Sequence, residues 1–141
     1  ILICSTKKKE IAAIHAGWRG LGSGIIKRAL DMFESSSEDV IAYLGPAISS
    51  EVFEVGYEVR EYFCDHAENL VEKNRIKAAF EKRGENKLLA DLYELARMDF
   101  ELYGISKIYG GNLCSYRDSE LFYSYRREGI TGRNASIIWL K

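Results

Sequence analysis

The spacing of apolar and polar positions shifts between two periods along this chain, and each shift marks an element. ILICST, residues 1–6, is a short apolar run ending in polar residues, and after the KKKE turn EIAAIHAG brings a second run of β-branched and small residues. The pair predicts two strands joined by a basic hairpin. Glycines 17, 20, 22 and 24 punctuate the exit, and Ile25, Ile26, Ala29, Leu30 and Phe33 then recur at helical spacing until Ser35-Ser36-Ser37. VIAYLG, 40–45, predicts a third strand, closed by Gly45 and Pro46. SSEVFEVGYEVREYF reads as helical in its second half, where Val55, Val59 and Phe63 share a face. NRIKAAFEKRGENK has weak period and high charge and reads as strand plus loop. LLADLYELARMDFELYG is the clearest helix, with Leu88, Leu92, Leu95 and Leu102 on one side and Gly104 at its end. ISKIYGGN, LFYSYRREG and NASIIWLK predict three further strands.

The last strands follow one another too closely for helical crossovers. The expected architecture is therefore α/β: a single domain over residues 1–141 with a mixed β-sheet packed by helices. The chain opens at Ile1 already inside a strand, which predicts that the N-terminal part of the fold is missing.

Composition narrows the function classes. With 141 residues and 47% hydrophobic content the chain can bury one proper core. Twenty basic and 21 acidic residues give a net charge of −1 with no long block of either sign, which argues against nucleic acid and membrane as partners and favours a small molecule. Cys4, Cys64 and Cys114 are widely spaced with no CxxC pair, fitting a reducing compartment and a cytoplasmic protein.

Candidate chemistry begins at His15, at a predicted strand end where the loops of α/β active sites gather. A half-buried histidine bonded to backbone is the plain alternative. The following glycines let backbone approach a ligand, and a helix beginning near Gly22 would aim free N–H groups at the same place, although on spacing alone a tight strand-to-helix turn is the favoured reading. Arg19, Arg126, Arg127 and Arg133 carry guanidinium forks suited to phosphate, against the alternative of hairpin arginines paired with Glu128 or Asp118. Cys114 reads as a buried small hydrophobe ahead of a nucleophile. Cys64 and His66 stand two apart on a helix and make a weak metal pair.

Taken together, IAAIHAGWRG, YLGPAISSEVFEVGYEVREYF, DLYELARMDFELYGI and LFYSYRREGITGRNASIIWLK resemble the laccase-domain family, once called multicopper polyphenol oxidoreductases and now assigned to purine nucleoside enzymes. HAGWRG combined with S-[YF]-R-R-[DE]-G-x-T-G-R carries the resemblance. It implies zinc held by a His-Cys-His set whose last member is His15; the other two ligands belong to segments N-terminal to Ile1. Copper, the family's older metal, is disfavoured because His15 and His66 cannot build a multi-histidine cluster. Ser115, where the family often has threonine, and Ala96, where asparagine is common, depart from the pattern.

The implied activity is phosphorolysis of adenosine, inosine and methylthioadenosine to base and sugar 1-phosphate, with zinc-dependent adenosine deamination. His15 and Arg19 would be catalytic, and Arg19, Arg126 and Arg133 would bind substrate. Two alternatives stand beside it: a metal-dependent hydrolase removing a misincorporated serine from a peptidoglycan precursor, and an inactive binding module if the protein starts at Ile1.

Overall fold

Leu2–Ser5 (β1) and Ile11–Ala13 (β2) form the antiparallel hairpin that the two opening apolar runs predict. The Ser5 hydroxyl accepts the N–H groups of Lys7 and Lys8 and so closes the basic turn. In the computed structural model, which describes residues 1–141, β1 also pairs antiparallel with Val40–Leu44 (β3), and β3 pairs parallel with Ile108–Gly110 (β7). The order β2-β1-β3-β7 makes the sheet mixed, as expected. A second, three-stranded antiparallel sheet has the order β4-β6-β5, from Glu54–Val55 (β4), Phe80–Arg83 (β5) and Lys87–Ala90 (β6).

The helices are Trp18–Gly22 (α1), Ile25–Leu30 (α2), Tyr57–Asp65 (α3), Leu70–Ala78 (α4), Leu92–Leu102 (α5) and Tyr125–Glu128 (α6). Ile3, Val40, Ala42 and Leu44 on one face of the larger sheet join Ile26 and Ala29 of α2 and Leu95 and Phe100 of α5 in one contiguous core. The opposite face is apolar too. Ala13, Leu2, Tyr43 and Tyr109 form one cross-strand row on it, and Ile11, Cys4 and Ile41 form the next. Tyr43 is 43% and Tyr109 56% exposed, and the remaining side chains of these rows are half-buried or exposed. No helix is long and apolar enough to cross a membrane.

Several expected elements differ from those observed. The helix expected after the glycines is α2, which stops at Leu30, short of Phe33; a further short helix, α1, precedes it among the glycines, and Gly24 at φ +76° separates the two. NRIKA belongs to α4, a helix with no apolar stripe in which only Ile76 is buried; its start is fixed by Asn69, which accepts the Glu72 N–H. Leu88 lies in β6 rather than on the following helix, since Asp91 caps α5 by accepting the Glu94 N–H. LFYSYRREG is a turn followed by α6, and NASIIWLK makes no strand: Ile137, Trp139 and Leu140 are exposed and unpaired.

Candidate active site

Beyond Ala13 the chain leaves the sheet through Ile14, His15, Ala16 and Gly17 and turns at once into α1. Beyond Leu44 the third strand leaves at the same end through Gly45, Pro46 and Ala47. The two exits and the segment around α6 border an open cavity of about 680 Å³, within the size range of small-molecule pockets. Its walls are mainly apolar, from Leu44, Phe53 and Trp18 among others, with polar groups from His15, Ser115, Ser124, Arg126, Asn134 and Ser136.

Tyr93 of α5 fastens the floor. Its hydroxyl accepts the Ala47 N–H at 2.9 Å and lies 2.6 Å from the Leu113 carbonyl and 3.0 Å from that of Gly45, to which it can donate. One side chain thus joins the strand-exit loop to the loop following β7, and burial pushes its phenol above the ordinary value.

The residues nominated from sequence divide at this cavity. His15 and Arg126 line it; Arg19 and Arg133 do not. Arg19 lies over the Trp18 ring, its guanidinium carbon 4.2 Å from the ring centre. Arg133 donates back to the carbonyls of Thr131 and Gly132. Arg126 is exposed and makes one hydrogen bond, to the Glu54 carbonyl at 3.2 Å, so its other donors are free. Arg127, next to it, is spent within the protein on the carbonyls of Ser115, Tyr116 and Phe122 and on Glu128. Pairing with Glu128 was the structural alternative for these arginines, and Arg127 realises it.

The glycines also separate. Gly17 borders the cavity against the His15 ring, whose Nε2 would stand 3.3 Å from a Cβ placed there. The helix that starts beside His15 is α1, with no side-chain cap, rather than one beginning near Gly22.

Cys114 is fully buried and faces a second, smaller cavity of about 270 Å³. Burial pushes its thiol up, but the Ser49 hydroxyl at 3.0 Å and the Arg117 N–H at 3.3 Å outweigh this and hold it below the ordinary value. Cys64 is buried with its thiol pushed up by desolvation, while His66 turns Nδ1 to the Tyr62 carbonyl at 2.7 Å, so the two make no pair. No three His, Cys, Asp or Glu side chains converge to hold a metal ion. His15 offers one imidazole where a catalytic zinc needs three protein ligands, so these residues by themselves do not fit the metal.

Tyr93, Ser124, Tyr125 and Asn134 were not singled out by sequence reasoning. Three of them lie in or beside SYRREGITGR, and the concentration of polar and aromatic side chains in that stretch was the available signal.

The chain is similar over nearly its whole length to known bacterial proteins. Purine nucleoside phosphorylase YfiH of Escherichia coli is 44% identical over 140 residues, covering 99% of this chain and 55% of the relative. A purine nucleoside phosphorylase of Haemophilus influenzae is 41% identical over 143 residues, covering 100% of this chain and 56% of its own. The crystal structure of a Neisseria meningitidis protein superposes with a TM-score of 0.82 at 40% identity, over 91% of this chain and 50% of that one. The chain thus spans about half the length of the relatives it matches. The model of the multi-copper polyphenol oxidoreductase laccase family matches residues 1–141, and with the shared fold this places the chain in that family.

Proposed function

We propose that the protein is a purine nucleoside phosphorylase acting on adenosine, inosine and methylthioadenosine in the cytoplasm. The observation that supports this best is Arg126, most of its donors unspent, at the wall of a mainly apolar cavity with room for a nucleoside and phosphate. Phosphorolysis needs both. A phosphate oxygen attacks C1′ as the C1′–N9 bond breaks, the bonding pair leaves with the purine, the base takes a proton from solvent, and the product is a pentose 1-phosphate. Arg126 would hold the phosphate oxygens beside C1′, and the apolar and aromatic walls would take the flat base. Arg19 enters this reading by covering Trp18, itself part of the wall. Relatives named purine nucleoside phosphorylase support the same reaction.

Zinc and an accompanying adenosine deaminase activity belong to the proposal through the family resemblance, with His15 contributing one ligand. These residues do not complete a metal site, and no step is derived through it.

Arg126→Ala in the full-length protein tests the reading. It should lower phosphate-dependent release of hypoxanthine from inosine on the order of 30-fold or more while sparing adenosine deamination comparatively, because only the first reaction uses an anionic co-substrate. Equal loss of both activities would refute the phosphate role.

A further inference from the structure

Arg126 and Arg127 are neighbours with opposite environments. Arg127 is half-buried, its side chain 21% exposed, and every donor of its guanidinium is engaged. Nη1 donates to the carbonyls of Ser115 and Tyr116 at 2.9 and 2.6 Å, Nη2 to that of Phe122 at 2.8 Å, and Nε and Nη2 to Glu128. Glu128 is in turn held by the Thr131 hydroxyl, and its carboxyl lies below the ordinary value because of Thr131 and Arg127. The Asn134 amide closes the segment by accepting from the Tyr123 N–H at 3.0 Å and donating to the Tyr123 carbonyl at 2.8 Å. Residues 123–134 are therefore a loop fastened to itself at Tyr123 and Asn134, and fastened to the 115–122 stretch through Arg127 alone among its charged side chains.

That fastening sets the cavity wall. Ser115 on one side of the clamp and Ser124, Tyr125 and Arg126 on the other all line the cavity. We infer that Arg127 is a positioning residue for phosphate use: its five-donor fork ties residues 115–122 to α6 and thereby aims Arg126, without touching the anion itself. This rests on the phosphorolysis reading above. A lysine keeps the charge but has three donors in no fixed fork and cannot hold three carbonyls and a carboxylate together.

The test is a double-mutant cycle in the full-length protein, with the apparent KM for inorganic phosphate and for inosine measured separately. Arg127→Lys should raise the phosphate KM on the order of 10- to 100-fold, the scale expected from misplacing a group by about an ångström, while leaving the inosine KM near its original value. In an Arg126→Ala background Arg127→Lys should add nothing, because its effect passes through Arg126. A phosphate KM unchanged by Arg127→Lys, or raised by the same factor with and without Arg126, would overturn the inference, as would equal damage to both substrates. Hydrogen exchange separates this from failure of the functional reading. Amides of 115–122 should exchange faster in Arg127→Lys and not in Arg126→Ala; unchanged protection in Arg127→Lys refutes the clamp. Inosine cleavage by the parent protein with no dependence on phosphate refutes phosphorolysis, and the exchange result still decides the clamp.

Discussion

Gly22 and Gly24 stand two apart and are glycine for different reasons. A Cβ on Gly22 would meet ring carbons of Tyr62 at 2.6 and 2.7 Å, too close for any relaxed contact, whereas one on Gly24 would meet nothing within 4 Å. Gly24 instead needs its φ of +76°, which an L side chain adopts at a cost of about 1 kcal/mol. Gly22→Ala should cost about 1–3 kcal/mol as an overpacked contact, because the Tyr62 ring that must yield is packed on Trp18, with centroids 5.8 Å apart, and on His66, at 4.7 Å. Thermal denaturation in a Tyr62→Ala background distinguishes the two. There the cost of Gly22→Ala should largely vanish and that of Gly24→Ala persist; equal persistence of both would show that Tyr62 is not what Gly22 accommodates.

At the scale of elements, α5 carries a destabilising group. Asp99 accepts no hydrogen bond, and burial, helped by the nearby charge of Glu72, raises its pKa from the ordinary 3.8 to about 6. The folded state therefore binds the proton more tightly than the unfolded one, and stability falls as pH rises from about 4 to about 6. The cost is absent below that window, where both states are protonated, and fully present above it. Asp99→Asn should stabilise the protein at pH 7 by about 1–2 kcal/mol and flatten its stability profile between pH 4 and 6. An unchanged slope in urea melts across that range would remove Asp99 as the cause. The body of α5 was legible because Leu92, Leu95 and Leu102 fall on one face, and β1 and β3 were legible as short apolar runs. Leu88 was assigned to the same helix because its spacing to Leu92 mimics a turn, although Asp91 with Glu94 three later was the sign of a new start. α4 was illegible for lack of an apolar face. At the site, His15 was found through its strand end and its glycines. Arg126 was named ahead of Arg127 because it flanks the turn with Arg133; the contacts that separate the two, three carbonyls 5 to 12 residues away in the chain, leave no local mark in the sequence.

On the scale of the whole molecule, one core draws both sheets together, and the larger sheet closes only when β7 returns parallel to β3 across the length of α3, α4 and α5. The other face of that sheet shows tyrosine and aliphatic rows where a solvated antiparallel sheet would alternate to polar residues. Such strands are written to be covered on both sides. By itself the 141-residue chain should bind a hydrophobic dye and associate as its concentration or the ammonium sulfate level rises, and Tyr43→Lys with Tyr109→Lys should suppress both effects. Dye binding unaltered by the double substitution would locate the adhesive surface elsewhere. The pair also becomes a gauge whose sign is informative. Where the two rings meet only solvent, lysine improves colloidal behaviour and leaves the melting temperature where it was; where another layer of protein rests on them, the same substitutions lower it, because two charges are then stranded against an apolar neighbour.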